Sequence, residues 1–348
     1  MSGTRLPKLL FNGCIKPNKM ELFRTLLKPT GGESINYSTR VLTLGSCFSE
    51  HMGEYLKSNK FNALINPFGI IYNPLSIGNS IERLLNKKLL AETDLFEHEG
   101  VWNSFSHHSR YSGTDKLSVL ENINSKLLAG SDFLRQTDVL MLTFGTAWVY
   151  EYKKSGEVVS NCHKLPAKEF KRYRLRVQEI VAYYKLIIEK LRSQNSNLKL
   201  ILTVSPVRHL KDGFHENQLS KAVLLLAVEE LCEAFEQVYY FPSYELMMDD
   251  LRDYRFYNDD MLHPSPLAVS YIWEKFKQAW INPACEPVMQ QIKKIELASK
   301  HRPFQVKSES HQKFLQKQLQ AINKLKADYP HLDFDKEQAF FENCLLER

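Results

Sequence analysis

Apolar residues in this chain fall into two alternating patterns. Short unbroken runs ending at Gly, Pro or polar residues predict buried strands: Arg40-Val-Leu-Thr-Leu-Gly45, Ala63-Leu-Ile-Asn-Pro67, Thr137-Asp-Val-Leu-Met-Leu-Thr-Phe-Gly145, Leu198-Lys-Leu-Ile-Leu-Thr-Val204 and Val238-Tyr-Tyr-Phe241. Between them, apolar positions three and four apart predict helices over 48–56, 75–86, 117–128, 173–193, 217–235 and 264–280. Trp148–Val159 reads as a hairpin turning at Ser155-Gly156, and 90–116, rich in aromatic and His residues, as a loop-rich insertion. A strand–helix unit repeated about five times predicts an α/β fold. The expected architecture is a doubly wound, mostly parallel five-stranded sheet of flavodoxin-like type with helices on both faces. Ligands in such sheets bind at the carboxyl ends of the strands, where the strand order reverses.

The flanks differ from this core. Residues 1–38 read as an irregular segment with one short helical stretch around Glu21–Leu27. Residues 39–285 read as the main domain, and 286–348, polar and without a strand signal, as a helical extension. In that extension Leu315, Leu319 and Ile322 share one helix face, suited to packing on the domain or on a partner.

Two groups of residues at predicted strand ends carry chemistry. Gly45-Ser46-Cys47-Phe48 follows the first strand and opens a helix. Unpaired N–H groups at a helix start can hold an oxyanion once Ser46 attacks a carbonyl. The simpler reading is that Ser46 caps that helix. A serine nucleophile needs a base, and Asp260-Met-Leu-His263, just before Pro264-Ser265-Pro266, offers one. The carboxylate can reach one imidazole nitrogen and leave the other to face the serine.

Gly45-Ser46-Cys47-Phe48-Ser49 resembles the signature of the GSCFA family, relatives of the SGNH/GDSL hydrolases. The resemblance extends through Asn66-Pro-Phe-Gly-Ile-Ile-Tyr-Asn-Pro74, Gly145-Thr-Ala-Trp148, Asn161-Cys-His-Lys164, Ser205-Pro-Val-Arg-His209 and Asp260-Met-Leu-His263, spanning about 41–281. Ser49 stands where the signature has Ala. The resemblance implies Ser46 as nucleophile, His263 as base, Asp260 as its orienting partner, and the N–H groups of Ser46 and Gly69 as oxyanion donors. It also implies an oxyanion-binding Asn where this chain has Ala147, so either another group serves, with Asn73, Asn161 and His163 as candidates, or activity is low or absent. Thr146, Trp148, Arg208 and His209 join those three as substrate-binding candidates. Glu216, Asn217 and Lys221 follow the same strand as Arg208, at the edge that contacts substrate, with capping and surface ion pairing as their simpler roles; Arg208, Lys164 and Lys221 near the site point to an anionic or sugar-like group on the substrate.

Composition trims the remaining possibilities. A net charge of +6 comes from dispersed Lys and Arg; the densest group, Lys313, Lys317, Lys324 and Lys326, reads as a solvated helix face. No nucleic-acid module accompanies it. Six cysteines without a CxxC pair give neither a zinc nor a disulfide framework. The adjacent Cys162 and His163 point apart in extended chain and make a poor dyad. His107, His163, His209 and His263 lack metal-site spacing, and His107, His108 and Arg110 sit in the aromatic-rich insertion. Trp102, Phe105, Trp148, Tyr150 and Tyr152 fit a core better than a pocket. No span-length apolar stretch or signal peptide is present, so the expectation is a bacterial cytoplasmic protein.

The sequence thus predicts a serine ester hydrolase working through an acyl-enzyme, without metal or organic cofactor, on a small-molecule or carbohydrate-linked ester. Acyl transfer to a sugar or other hydroxyl is one alternative. A binding module on the same fold, with weak catalysis, is the other.

Overall fold

The computed structural model describes residues 25–346 except Glu33, Arg302 and Lys307. The segment 1–24, including most of the expected Glu21–Leu27 helix, lies outside the described residues; Thr25–Leu27 carry no helix.

Five strands form the central sheet: β1 (Arg40–Gly45), β2 (Asn62–Ile65), β3 (Val139–Phe144), β4 (Lys199–Val204) and β5 (Val238–Tyr240). All neighbours pair in parallel, in the order β5-β4-β3-β1-β2. The main helices are α1 (Cys47–Ser58), α2 (Pro74–Leu85), α3 (Lys116–Leu134), α4 (Val177–Gln194), α5 (Phe214–Ala234) and α6 (Pro266–Trp280). Three more follow: α7 (Glu286–Lys300), α8 (Glu309–Asp328) and α9 (Asp335–Leu346). No helix among the described residues is long and apolar enough to cross a membrane.

The apolar runs have a simple origin. Both faces of a parallel sheet are covered, so successive side chains enter opposite cores. Leu42, Leu44, Leu140, Leu142, Leu200 and Leu202 join one cluster with residues of α2 to α5. Val41, Val139, Met141 and Ile201 join the other, with Phe48, Met52 and Leu56 of α1 and Ile272, Trp273 and Phe276 of α6. The extension belongs to this second cluster: Leu315, Ile322, Leu325, Phe334 and Phe341 are buried in it, and Leu319 packs against it.

Two departures from the expected elements are physical. The helix predicted from Tyr173 starts at Val177, because Phe170–Arg174 instead pairs antiparallel with Trp148–Tyr152. With Glu157–Val159 they make a three-stranded sheet. The insertion holds a small hairpin, Phe96–His98 with Val101–Asn103.

Strand order reverses between β1 and β3. Their carboxyl ends therefore open the crevice where doubly wound sheets place ligands, and Ser46 and Gly145 stand there.

Candidate active site

Gly45 ends β1 at φ +143°, and a Cβ on it would lie 2.3 Å from the Thr143 carbonyl oxygen. Only glycine lets β1 and β3 stay paired while the chain swings into α1. Ser46 occupies the N-cap position of α1, yet its hydroxyl makes no capping bond. It is 1% exposed, and its Oγ has no hydrogen-bond partner. The helix-cap reading therefore does not account for this serine. Buried hydroxyls of Thr43, Ser49 and Thr143 around it are likewise without a partner, and Ser46 is the one among them that stands at the helix start on the sheet's carboxyl edge.

Asp260 and His263 meet in the turn before α6. The carboxylate Oδ2 lies 2.6 Å from imidazole Nδ1, while Oδ1 accepts the backbone N–H groups of Leu262 and His263 at 2.9 and 3.0 Å. Those two backbone bonds, His263 first, and then the imidazole, hold the Asp260 carboxyl down to about 2. With Nδ1 occupied, Nε2 is the nitrogen left for proton transfer. Each side chain is nearly half exposed. The turn is fastened to the end of β4 by the Arg208 N–H, which donates to the Leu262 carbonyl at 3.2 Å.

The two expected oxyanion donors already have acceptors. The Ser46 N–H donates to the Thr143 carbonyl at 3.2 Å, and the Gly69 N–H to the Asn66 carbonyl at 2.7 Å. Gly69 has φ +82°, and a Cβ there would meet the His108 Cβ at 2.3 Å. Ala147 is fully buried in the apolar core cluster, so a side chain at that position faces the core.

Several candidate residues serve local structure. Asn73 caps α2, accepting the Ser76 N–H at 2.8 Å and donating to its hydroxyl. Asn161 accepts the His163 N–H at 2.9 Å. His163 is buried, its Nε2 lies 2.8 Å from the Ser104 carbonyl oxygen, and it meets Phe96 edge-on. Its neighbour His107 is buried beside Ser104, and burial pushes it down to about 3. Thr146 contacts the Ser220 hydroxyl and accepts the Trp148 N–H. The Trp148 ring lies beneath the Arg172 and Arg174 guanidiniums. Burial raises the thiols of Cys47 and Cys162, the latter to about 11, so neither is an activated nucleophile.

His209 does come to the strand ends. Its ring stands edge-on to Tyr72, whose carbonyl accepts the Gly145 and Thr146 N–H groups. Burial first, then the charges of Lys221 and His263, push His209 down to about 3, so its imidazole is neutral.

Lys221 goes much deeper than a surface ion pair. It is 1% exposed, and Nζ donates to the carbonyl oxygens of Gly145 and Ser205, each at 2.7 Å. Burial lowers its ammonium to about 7, with Cys47, next to Ser46, opposing that shift slightly. The sequence carried a signal for this. Asn217, Lys221, Leu224, Val228 and Leu231 form one buried stripe of α5, so Lys221 sits at a core position of an amphipathic helix. Among the described residues, no group of three or more His, Cys, Asp or Glu side chains is placed to hold a metal ion.

Solved structures resemble the chain only distantly. A carbohydrate esterase family 3 protein from Talaromyces cellulolyticus is 8% identical, with a TM-score of 0.33 over 72% of this chain and 98% of its own. An acetyl xylan esterase (Est2A) from Butyrivibrio proteoclasticus is 12% identical, with a TM-score of 0.35 over 70% of this chain and 64% of its own. No curated protein matches. The family comparison is much stronger: the GSCFA family model matches residues 40–276, and that of the GSCFA domain protein C-terminal domain matches 292–347. The first match begins on β1 and ends in α6, taking in the Ser46 turn and the Asp260–His263 pair, and the chain belongs to the GSCFA family.

Proposed function

We propose that this protein is a serine ester hydrolase using a covalent acyl-enzyme. Ser46 Oγ attacks the acyl carbonyl carbon and passes its proton to His263 Nε2. The ester C–O bond breaks as His263 returns that proton to the leaving alcohol. Water, activated by the same imidazole, then frees the acid and restores Ser46. Asp260 fixes the imidazole tautomer and stabilises the imidazolium between these steps.

The observation that carries this reading is the Ser46 hydroxyl. It is buried at the end of β1, bonded to nothing and capping nothing, in a chain that also holds a ready Asp–His couple. The mechanism needs a Ser46–His263 hydrogen bond that the free protein does not make; catalytic hydrogen bonds commonly tighten when substrate binds. The Ser46 N–H bond to Thr143, at 3.2 Å, is at the long end for N–H···O and can be shared with an oxyanion. The tighter Gly69 bond must open for that N–H to contribute.

A fluorophosphonate probe tests the proposal on the wild type beside Ser46→Ala and His263→Ala, with the adduct located by mass spectrometry. A Ser46 adduct absent from both variants is expected, and ester hydrolysis should fall in parallel. Adducts elsewhere, or none on a folded wild type, would remove the proposal.

A second reading, a binding module on the same fold, draws on two observations: both expected oxyanion N–H groups already have carbonyl partners, and Ala147 contributes no donor. It predicts no probe adduct but retained ligand binding by Ser46→Ala.

A further inference from the structure

Beyond Ser46 and His263, the ends of β3 and β4 hold a surplus of nitrogen donors. Asn217, in the first turns of α5, is 2% exposed. Its Oδ1 accepts the His209 backbone N–H at 2.9 Å, which fixes the orientation of the amide and leaves Nδ2 as a buried donor without a partner. His209 Nε2 and Arg208 Nε are likewise buried and unpartnered. The ammonium of Lys221 has three donors, two of them committed to Gly145 and Ser205.

Charge is unbalanced in the same direction. Among the described residues neither Lys221 nor Arg208 forms a salt bridge. Their neighbours are carbonyl oxygens, the Tyr257 hydroxyl and aromatic rings, Phe214 under Arg208 and Tyr244 under Lys221. Of the carboxylates nearby, Glu50 pairs with Arg110, Asp260 with His263, and Glu245 accepts the Tyr240 hydroxyl, while Asp249 also acts on Tyr244. The positive end of α5, which starts at Phe214, adds to the same field. A buried cation without a counter-ion is costly, and donors in excess of acceptors are the complement of an anion.

We propose that Arg208, His209, Asn217 and Lys221 form a receptor for an oxyanion, a carboxylate or phosphate group carried by the substrate. His209 is neutral and its ring N–H is engaged by the Gly145 backbone, so it lines the receptor, while Asn217 donates and Arg208 and Lys221 supply the charge. The Arg208 N–H bond to the Leu262 carbonyl ties the receptor to the turn that holds His263, and Lys221 binds Gly145, two residues beyond the Thr143 carbonyl that accepts the Ser46 N–H. The link to substrate rests on the esterase reading; the receptor itself does not.

Its test is calorimetric titration of the full chain carrying Ser46→Ala with acetate and, separately, inorganic phosphate. Saturable binding of one of them with a millimolar or lower Kd is expected, and which one binds identifies the group. Arg208→Met should weaken it at least tenfold. Asn217→Asp keeps the acceptor for His209 and turns the free donor into an acceptor, so it should weaken binding at least as much, and it decides the matter if Arg208→Met fails to fold. Arg192→Gln, a charge change beside Phe235 on α4, should leave binding unchanged. No saturable binding, or equal binding by all variants, overturns the receptor. Anion binding by a protein whose wild type never reacts with fluorophosphonate keeps the receptor and removes the esterase; a reactive wild type that binds neither anion does the reverse.

Discussion

The Lys221 ammonium lies 2.7 Å from the Gly145 carbonyl oxygen, joining the buried face of α5 to the residue where β3 gives way to the site. A second bond of equal length to Ser205 ties the end of β4 to the same nitrogen. One cation thus spaces the two strand ends between which His209 enters.

That arrangement gives stability a distinctive pH dependence. Burial lowers Lys221 from the ordinary 10.5 to about 7, so between those values the folded chain holds fewer protons than the unfolded one. Stability contributed by this residue therefore rises with pH from about 7, at up to about 1.4 kcal/mol per unit. The difference in urea stability between wild type and Lys221→Met should shift in favour of the wild type from pH 7 to pH 9. Parallel slopes would show that Lys221 does not titrate in this window.

Ser46→Ala should separate reactivity from stability. The hydroxyl is buried without a partner, and such a group costs roughly 1–3 kcal/mol. The variant should melt at or above the wild-type temperature while losing probe reactivity. A marked fall in the melting temperature would mean that the hydroxyl has a structural bond.

Asp260→Asn preserves an oxygen for the Leu262 and His263 N–H groups but removes the charge facing Nδ1. The fold should survive, and the probe reaction at Ser46 should slow by about a thousandfold or more, through the wrong tautomer and an unsupported imidazolium. A rate within a few-fold of wild type would exclude Asp260 as the orienting partner.

Gly45→Ala should be among the most damaging small substitutions. The new methyl would sit 2.3 Å from the Thr143 carbonyl oxygen at φ +143°, and relief means parting β1 from β3. A loss of about 3 kcal/mol or more is expected, read by denaturant unfolding. A variant of near wild-type stability would contradict this packing.

Legibility in the sequence followed burial. The inner strands β1, β3 and β4 are buried on both faces, so Val41-Leu-Thr-Leu44 or Val139-Leu-Met-Leu142 stood out as apolar runs, while the edge strands β2 and β5 are only partly buried. Phe170-Lys-Arg-Tyr-Arg174 is also a strand, but only Phe170 is buried and Lys171 and Arg172 are exposed, and its polarity merged with the helix beginning at Val177. The Ser46 turn and the Asp260–His263 spacing were visible because both depend on residues close in sequence. The uses of Asn73, Asn161 and His163 were not, since Ser76, the His163 backbone and Ser104 satisfy them through bonds set by loop geometry. Asn217 and Lys221 looked polar and exposed by type; only their place in the buried stripe of α5 marked them otherwise.

Lys60, just after α1, pairs with Glu337 at 2.7 Å and lies over the Phe334 ring, while Tyr37 stacks on Phe61 and leans against Tyr329. Ribosomes release the amino-terminal part first. The helix that presents Ser46 is thus made early, yet some of the side chains closing its side of the molecule are among the last described residues to be synthesised. A nascent chain interrupted before residue 315 would carry every proposed catalytic group and still leave this apolar flank uncovered.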